Sequence, residues 1–112
     1  MSGIVFFKTK KIEELKEFYL KKVECKMWMD QGDCCILQNG NFLFGFCTRE
    51  YVETQGMITF YYDEKAEVDR FYEKFRDSAD DKPRDNSKYP IYHFFSKDPE
   101  GRIIEFQHFY NL

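Results

Sequence analysis

The stretch IVFFKTKKIEELKEFY, residues 4–19, decides how the chain is interpreted, because it places a strand before an amphipathic helix. Residues 4–9 are rich in β-branched and aromatic side chains, which is typical of a strand. From residue 11 to residue 22, apolar side chains recur at helical spacing between Lys and Glu. The same order returns as MITFYYDEKAEVDRFY at residues 57–72, where Phe18-Tyr19 is matched by Phe71-Tyr72. This restart predicts an internal duplication.

Three further strands are predicted after each helix. In the first half they lie at residues 26–30, 34–38 and 41–47, and Asn39-Gly40 marks a hairpin between the last two. In the second half they are a short strand within the polar stretch 78–89 and strands at 90–97 and 102–109, with a turn at Asp98–Gly101. The sequence therefore predicts one α+β domain, residues 1–112, made of two tandem β-α-β-β-β modules. The modules are predicted at 1–48 and 57–112, joined by a connector at 49–56.

Composition and charge exclude several classes of protein. The net charge of −3 argues against nucleic-acid binding through phosphate neutralisation. No apolar run is long enough for a membrane span, and no signal peptide is recognisable. The four cysteines, Cys25, Cys34, Cys35 and Cys47, do not have the spacing of a zinc site. They are predicted to be reduced thiols, and the protein is predicted to be cytoplasmic.

The opening strand and helix, together with the closing run DPEGRIIE at residues 98–105, resemble the vicinal oxygen chelate superfamily. That superfamily contains glyoxalase I, bleomycin resistance proteins, fosfomycin-modifying thiol transferases and extradiol dioxygenases. The resemblance extends over essentially the whole chain. It implies that the two modules form an incomplete barrel around a cleft, and that the protein is a homodimer.

The resemblance also implies four positions for metal ligands. Carried onto this sequence they are Ile4, Phe44, Met57 and Glu105, where Phe44 is matched to Glu105 through the hairpin glycines Gly40 and Gly101. Only Glu105 suits the divalent ions typical of the superfamily, because Ile and Phe offer no ligand atom and Met offers a soft thioether. Enzymatic metal sites typically use three or more protein ligands. We therefore predict no metal and no cofactor, and a protein that is not a metal-dependent enzyme.

Strand alternation predicts which side chains line the cleft if Glu105 points into it. His93 is predicted to face away, and Phe94 to face inward, if Lys97 pairs with Arg102 across the turn. That register is the uncertain step, since a slip of one residue exchanges the two faces. The predicted ligand-binding residues are Phe6, Lys8, Cys35, Phe42, Phe44, Met57, Thr59, Tyr61, Phe94, Glu105 and Gln107.

An aromatic fraction of 20% and a few polar side chains in the predicted cleft favour a small-molecule site. The leading hypothesis is a metal-free binding protein of the bleomycin-resistance type that holds an aromatic or amphipathic ligand. One alternative is a lyase or isomerase of the same superfamily with Glu105 as the catalytic base. The other is a structural or dimerisation module whose own side chains fill the cleft. The sequence identifies neither the ligand nor the geometry of a dimer.

Overall fold

The computed structural model describes residues 2–112, which form two compact units with their boundary between Gln55 and Gly56. The first unit consists of β1 (Ile4–Thr9), α1 (Ile12–Glu17) with a π-helical continuation (Phe18–Lys22), β2 (Lys26–Asp30), β3 (Cys34–Asn39) and β4 (Phe42–Thr48). The second consists of β5 (Met57–Tyr61), α2 (Lys65–Phe75), β6 (Arg84–Asp85), β7 (Ile91–Lys97) and β8 (Ile103–Phe109). The predicted α+β fold of two tandem β-α-β-β-β modules is confirmed. None of the helices in residues 2–112 has the length and apolar character that a membrane crossing requires.

The two sheets have the same topology. Their strand orders are β1-β4-β3-β2 and β5-β8-β7-β6. In each sheet the first and last strands of the unit pair in parallel, and the other neighbours pair antiparallel. A shared topology of this kind is what a duplicated module produces.

Aromatic side chains pack the helix of each unit against one face of its sheet, called here the helix face. In the first unit the ring of Tyr19 lies 5.2 Å from that of Phe44 and 5.4 Å from that of Phe46. In the second, the ring of Phe106 lies 5.1 Å from Phe71 and 5.0 Å from Phe94. Side chains at the alternate positions of each strand point to the opposite face, called here the distal face.

The two hairpins have turns of different length. Asn39 pairs with Phe42, so the first turn has two residues, whereas Lys97 pairs with Ile103 and the second turn has five. Arg102 lies inside the longer turn, where its buried guanidinium is 3.3 Å from the Asp98 carboxylate. The predicted pairing of Lys97 with Arg102 and the predicted equivalence of the two hairpin glycines are therefore wrong.

The register shows which residues of the two modules are equivalent. Glu105 pairs with Thr59 in the second sheet, and Gly45 pairs with Phe6 in the first. Gly45, and not Phe44, is therefore the counterpart of Glu105. Four residues predicted to share the face of Glu105 or of its counterpart lie on the helix faces instead, so their prediction is wrong. They are Cys35, Phe42, Phe44 and Phe94.

Two of the four cysteines form a disulfide, so the prediction of four reduced thiols is wrong. Cys34 and Cys47 are directly paired residues of β3 and β4 and are joined on the distal face of the first sheet. Cys25 and Cys35 are unbridged and buried. Burial raises the pKa of the Cys25 thiol to about 11 and also raises the pKa of the Cys35 thiol. Both are therefore poor nucleophiles at neutral pH.

Candidate functional site

A cavity of about 520 Å³ lies on the distal face of the second sheet. Apolar and aromatic side chains form most of its wall, while His93, Glu105 and Gln107 are buried polar residues on the strands beneath it. The residues around it are Met57, Asn86, Tyr89, Pro90, Ile91, His93, Phe95, Glu105, Gln107, Phe109 and Asn111. An apolar depression with a few convergent polar groups is the usual composition of a small-molecule site.

Glu105 is the most constrained polar side chain of the cavity. Only 5% of the residue is exposed, and its Oε1 accepts a hydrogen bond of 2.7 Å from the Thr59 hydroxyl. Its Oε2 lies 2.6 Å from Nδ1 of His93. The Gln107 amide, oriented with its nitrogen towards the carboxylate, donates to Oε1 at 3.0 Å and to Oε2 at 3.2 Å. Three donors converge on one carboxylate, which compensates for its removal from water.

His93 lies on the distal face, so the prediction that it points away from Glu105 is wrong. It pairs with Gln107, two residues along the ladder from the pair of Phe95 with Glu105, and therefore lies on the same face as that pair. The prediction paired Lys97 with Arg102 instead of Ile103, and this shift of one residue put Phe94 on the face that His93 and Phe95 occupy. A signal for the correct register is present in the sequence, because Asp98 and Arg102 have the spacing of an ion pair that closes a turn.

The charge of Arg84 near this site is balanced by Asp80. Arg84 pairs with His93 in the sheet, and its guanidinium donates to the two carboxylate oxygens of Asp80 at 3.0 Å and 2.8 Å. The hydrogen bond to Asp80 raises the pKa of Arg84, which is therefore charged at all physiological pH values. The guanidinium carbon also lies 5.6 Å from the centre of the Phe95 ring. Arg84 thus makes a cation–π contact with Phe95 at the wall of the cavity.

Three of the predicted ligand-binding residues line this cavity: Met57, Glu105 and Gln107. Thr59 does not line it, but its hydroxyl donates to Glu105. Tyr61 lies on the same strand as Met57 but is half exposed, and its ring contacts Phe109 at 5.7 Å. The alternation of strands β5 and β8 was sufficient to find these residues. His93, Phe95 and Asn86 were missed.

Phe6 and Lys8, the two predicted residues of β1, lie on the distal face of the first sheet. The Phe6 ring covers Gly45, because a Cβ atom added to that glycine would lie 2.7 Å from it. The Lys8 ammonium donates to the Tyr51 hydroxyl at 2.7 Å. Both residues border a separate depression of about 350 Å³, beside the Cys34–Cys47 disulfide.

The side chains at the four ligand positions do not fit a divalent metal. With the corrected register these positions are Ile4, Gly45, Met57 and Glu105, and only Glu105 carries an oxygen ligand. Across residues 2–112, no three His, Cys, Asp or Glu side chains are grouped so that they could hold a metal ion. His93 would add one nitrogen, but its Nδ1 is already hydrogen-bonded to Glu105.

No protein-family model matches the sequence, and no curated protein matches it either. Solved structures do match over nearly the whole chain. An integron cassette protein from the Halifax Harbour sewage metagenome is 17% identical with a TM-score of 0.80, covering 96% of this chain and 97% of its own. A glyoxalase/bleomycin resistance protein/dioxygenase family enzyme from Burkholderia phytofirmans is 17% identical with a TM-score of 0.79, covering 94% and 95%. A lactoylglutathione lyase from Agrobacterium tumefaciens is 17% identical with a TM-score of 0.77, covering 96% and 92%.

Proposed function

We propose that this chain, which has the fold of the vicinal oxygen chelate superfamily, is a small-molecule-binding protein whose ligand occupies the cavity of the second sheet. The observation that carries the proposal is the buried pair of Glu105 and His93 beneath a cavity with largely apolar walls. A mostly apolar cavity with a few convergent polar groups is the usual form of a small-molecule site.

The first module supports this proposal because it has the same topology without the polar set. The register makes Phe6 the counterpart of Thr59, Gly45 that of Glu105 and Cys34 that of His93. The fold therefore does not require a carboxylate or an imidazole at these positions. Even a hydrogen-bonded buried carboxylate is often no more stabilising than apolar side chains of similar volume, so stability alone does not explain why the second module has this arrangement.

The chemistry of the cavity indicates the character of the ligand. Aromatic rings of Tyr89, Phe95 and Phe109 offer surfaces against which a planar apolar group can pack. The Glu105 carboxylate lies at the polar end and repels an anionic group placed there. A compact, partly aromatic ligand that is neutral or positively charged at its polar end fits this arrangement.

An enzyme of the same fold is the second candidate, and the contact of 2.6 Å between His93 and Glu105 favours it. An imidazole held by a carboxylate is a common arrangement for proton transfer. In that case His93, rather than Glu105 as predicted from the sequence, contacts the substrate.

The homodimer and the cytoplasmic location stay predictions. The cytoplasmic location was inferred from four reduced thiols, and the Cys34–Cys47 disulfide removes that argument.

Filling the cavity tests the proposal. Met57 lines it and is half exposed, so we expect Met57→Trp to fold normally and to block ligand access. Ile103→Trp is the matched control, because Ile103 is exposed beside Met57 on the same face but does not line the cavity. The measurement is a thermal-shift screen of neutral and cationic aromatic fragments.

A fragment present at a hundred times its Kd should stabilise the wild-type protein by about 2.7 kcal/mol. We expect that stabilisation to persist in Ile103→Trp and to disappear in Met57→Trp. A screen without any stabilising fragment, or a fragment that stabilises both variants equally, contradicts a ligand site in this cavity.

A further inference from the structure

The Asn86 amide beside the cavity has a fixed orientation. Asn86 follows β6 directly, and its Oδ1 accepts hydrogen bonds from the backbone N–H groups of Lys88 at 2.8 Å and Tyr89 at 2.9 Å. Only the oxygen of an amide can accept, so these two bonds identify which atom is oxygen and which is nitrogen. The atom that lies 3.5 Å from Nε2 of His93 is therefore the amide nitrogen, which can only donate.

This orientation determines where His93 carries its proton. A donor faces Nε2, so Nε2 must present its lone pair. An acceptor, Oε2 of Glu105, lies 2.6 Å from Nδ1, so Nδ1 must carry hydrogen. The contacts at the two ring nitrogens agree, and they describe a neutral imidazole with its proton on Nδ1.

The lone pair of Nε2 is available to a ligand. His93 and Asn86 both line the cavity. The separation of 3.5 Å between Nε2 and the Asn86 nitrogen is long for a hydrogen bond, since N–H···O bonds in proteins are usually about 2.9–3.0 Å. A hydroxyl or N–H group of a ligand that approaches to the usual distance makes the better bond.

We propose that Asn86, His93 and Glu105 form a selector for hydrogen-bond donors, in which Nε2 of His93 accepts the hydroxyl or N–H group of the ligand. Asn86 and Glu105 are positioning residues that hold the imidazole in the required tautomer from its two ends. The selector distinguishes a ligand that carries a donor from the same ligand with that donor methylated. The ligand-binding part of this proposal rests on the proposed function, whereas the tautomer does not.

The tautomer is tested first, without any ligand, by ¹⁵N NMR of the imidazole nitrogens. We expect a protonated Nδ1 and an unprotonated Nε2 for His93 in the wild-type protein. His108→Gln assigns the signals, since the chain has two histidines. In Asn86→Asp a carboxylate oxygen replaces the donor, so we expect Nε2 to become protonated. Asn41→Asp makes the same substitution at an exposed residue of the turn between β3 and β4, which does not line the cavity, and should leave the His93 signals unchanged.

A wild-type His93 with its proton on Nε2 overturns the proposal, and so does an Asn86→Asp variant with wild-type imidazole signals. Circular dichroism of each variant establishes that the comparison is between folded proteins. A purely structural role of Asn86 would change stability without changing the protonation of Nε2.

Ligand selection is tested with two probe pairs, indole against 1-methylindole and benzyl alcohol against benzyl methyl ether. We expect the wild-type protein and Asn41→Asp to bind the donor of each pair about tenfold more tightly, as the loss of one hydrogen bond implies. Asn86→Asp should lose this preference. Equal binding of both members by the wild-type protein overturns the selector and leaves the proposed function standing. If no probe binds, ligand selection fails together with the cavity, and the NMR result alone decides the tautomer.

Discussion

Gly45 is the residue at which the two modules differ most sharply. It occupies the position that Glu105 has in the second module, and a Cβ atom built on it would lie 2.7 Å from the carbonyl oxygen of Cys35 and 2.7 Å from Cε1 of Phe6. The neighbouring strand and an aromatic ring therefore fill the space that a side chain would need. The first sheet has no room for a second carboxylate at this position.

We expect Gly45→Ala to destabilise the protein by about 1–3 kcal/mol, which is the usual cost of forcing an extra carbon into packed structure. The backbone carbonyl of Cys35 cannot turn away without disturbing its strand. Gly3→Ala is the control, because a Cβ atom there meets nothing within 4 Å. Urea unfolding measures both variants, and equal stability of the two would contradict the close packing described for Gly45.

At the scale of elements, the sequence predicted the existence and order of all eight strands and both helices. The bounds of β1 and β2 agree with the structure because their apolar patterns end at clear breaks. The π-helical continuation of α1 at Phe18–Lys22 was not predicted, since its hydrophobic spacing is that of an ordinary helix. Periodicity shows where an element lies and does not show small changes in its winding.

Turn length limited the prediction of the site. The side chains of β5 and β8 that share the face of Glu105 were predicted correctly, because their alternation was counted from Glu105 and from the strand beside it. The predicted faces of β4 and β7 depend on the lengths of the hairpin turns, and the turn closed by Asp98 and Arg102 has five residues instead of the four that the prediction assumes. A slip of one residue exchanges the two faces of a strand, so His93 and Phe94 were interchanged.

The β3–β4 hairpin gives a prediction about the cysteines. Cys34 and Cys47 are 13 residues apart, and closing a loop of about 15 residues with a disulfide contributes about 3 kcal/mol. Titration of the denatured, unreduced protein should find two thiols per chain, those of Cys25 and Cys35. A reductant should lower the Tm of the wild-type protein and leave that of the Cys34→Ser/Cys47→Ser double variant unchanged. Four titratable thiols would contradict the disulfide.

The whole molecule combines one topology with two different distal faces. The first sheet presents Phe6, Gly45 and a disulfide, and the second presents Thr59, Glu105 and His93 at the equivalent positions. Duplication of a module fixes the strand order but leaves each copy free to change the side chains that point away from its helix. The buried pair of a carboxylate and an imidazole is therefore found on the distal face of the second sheet and not at the equivalent positions of the first.

This asymmetry predicts how the protein responds to metals. Of the four positions that the sequence resemblance implies for metal ligands, with the register corrected, three are Ile4, Gly45 and Met57. The fourth, Glu105, already accepts hydrogen bonds from three side chains. An ion present at a concentration of a hundred times its Kd would raise the free energy of unfolding by about 2.7 kcal/mol. For a domain of this size that corresponds to a rise in Tm of about 10 °C. We expect neither EDTA nor added Mn²⁺, Ni²⁺ or Zn²⁺ to produce such a shift. Glu105→Gln separates the possible results. A metal-induced rise in Tm that this substitution removes would mean that Glu105 is a metal ligand and would contradict the prediction. A rise that persists in the variant would come from ions bound elsewhere on the surface.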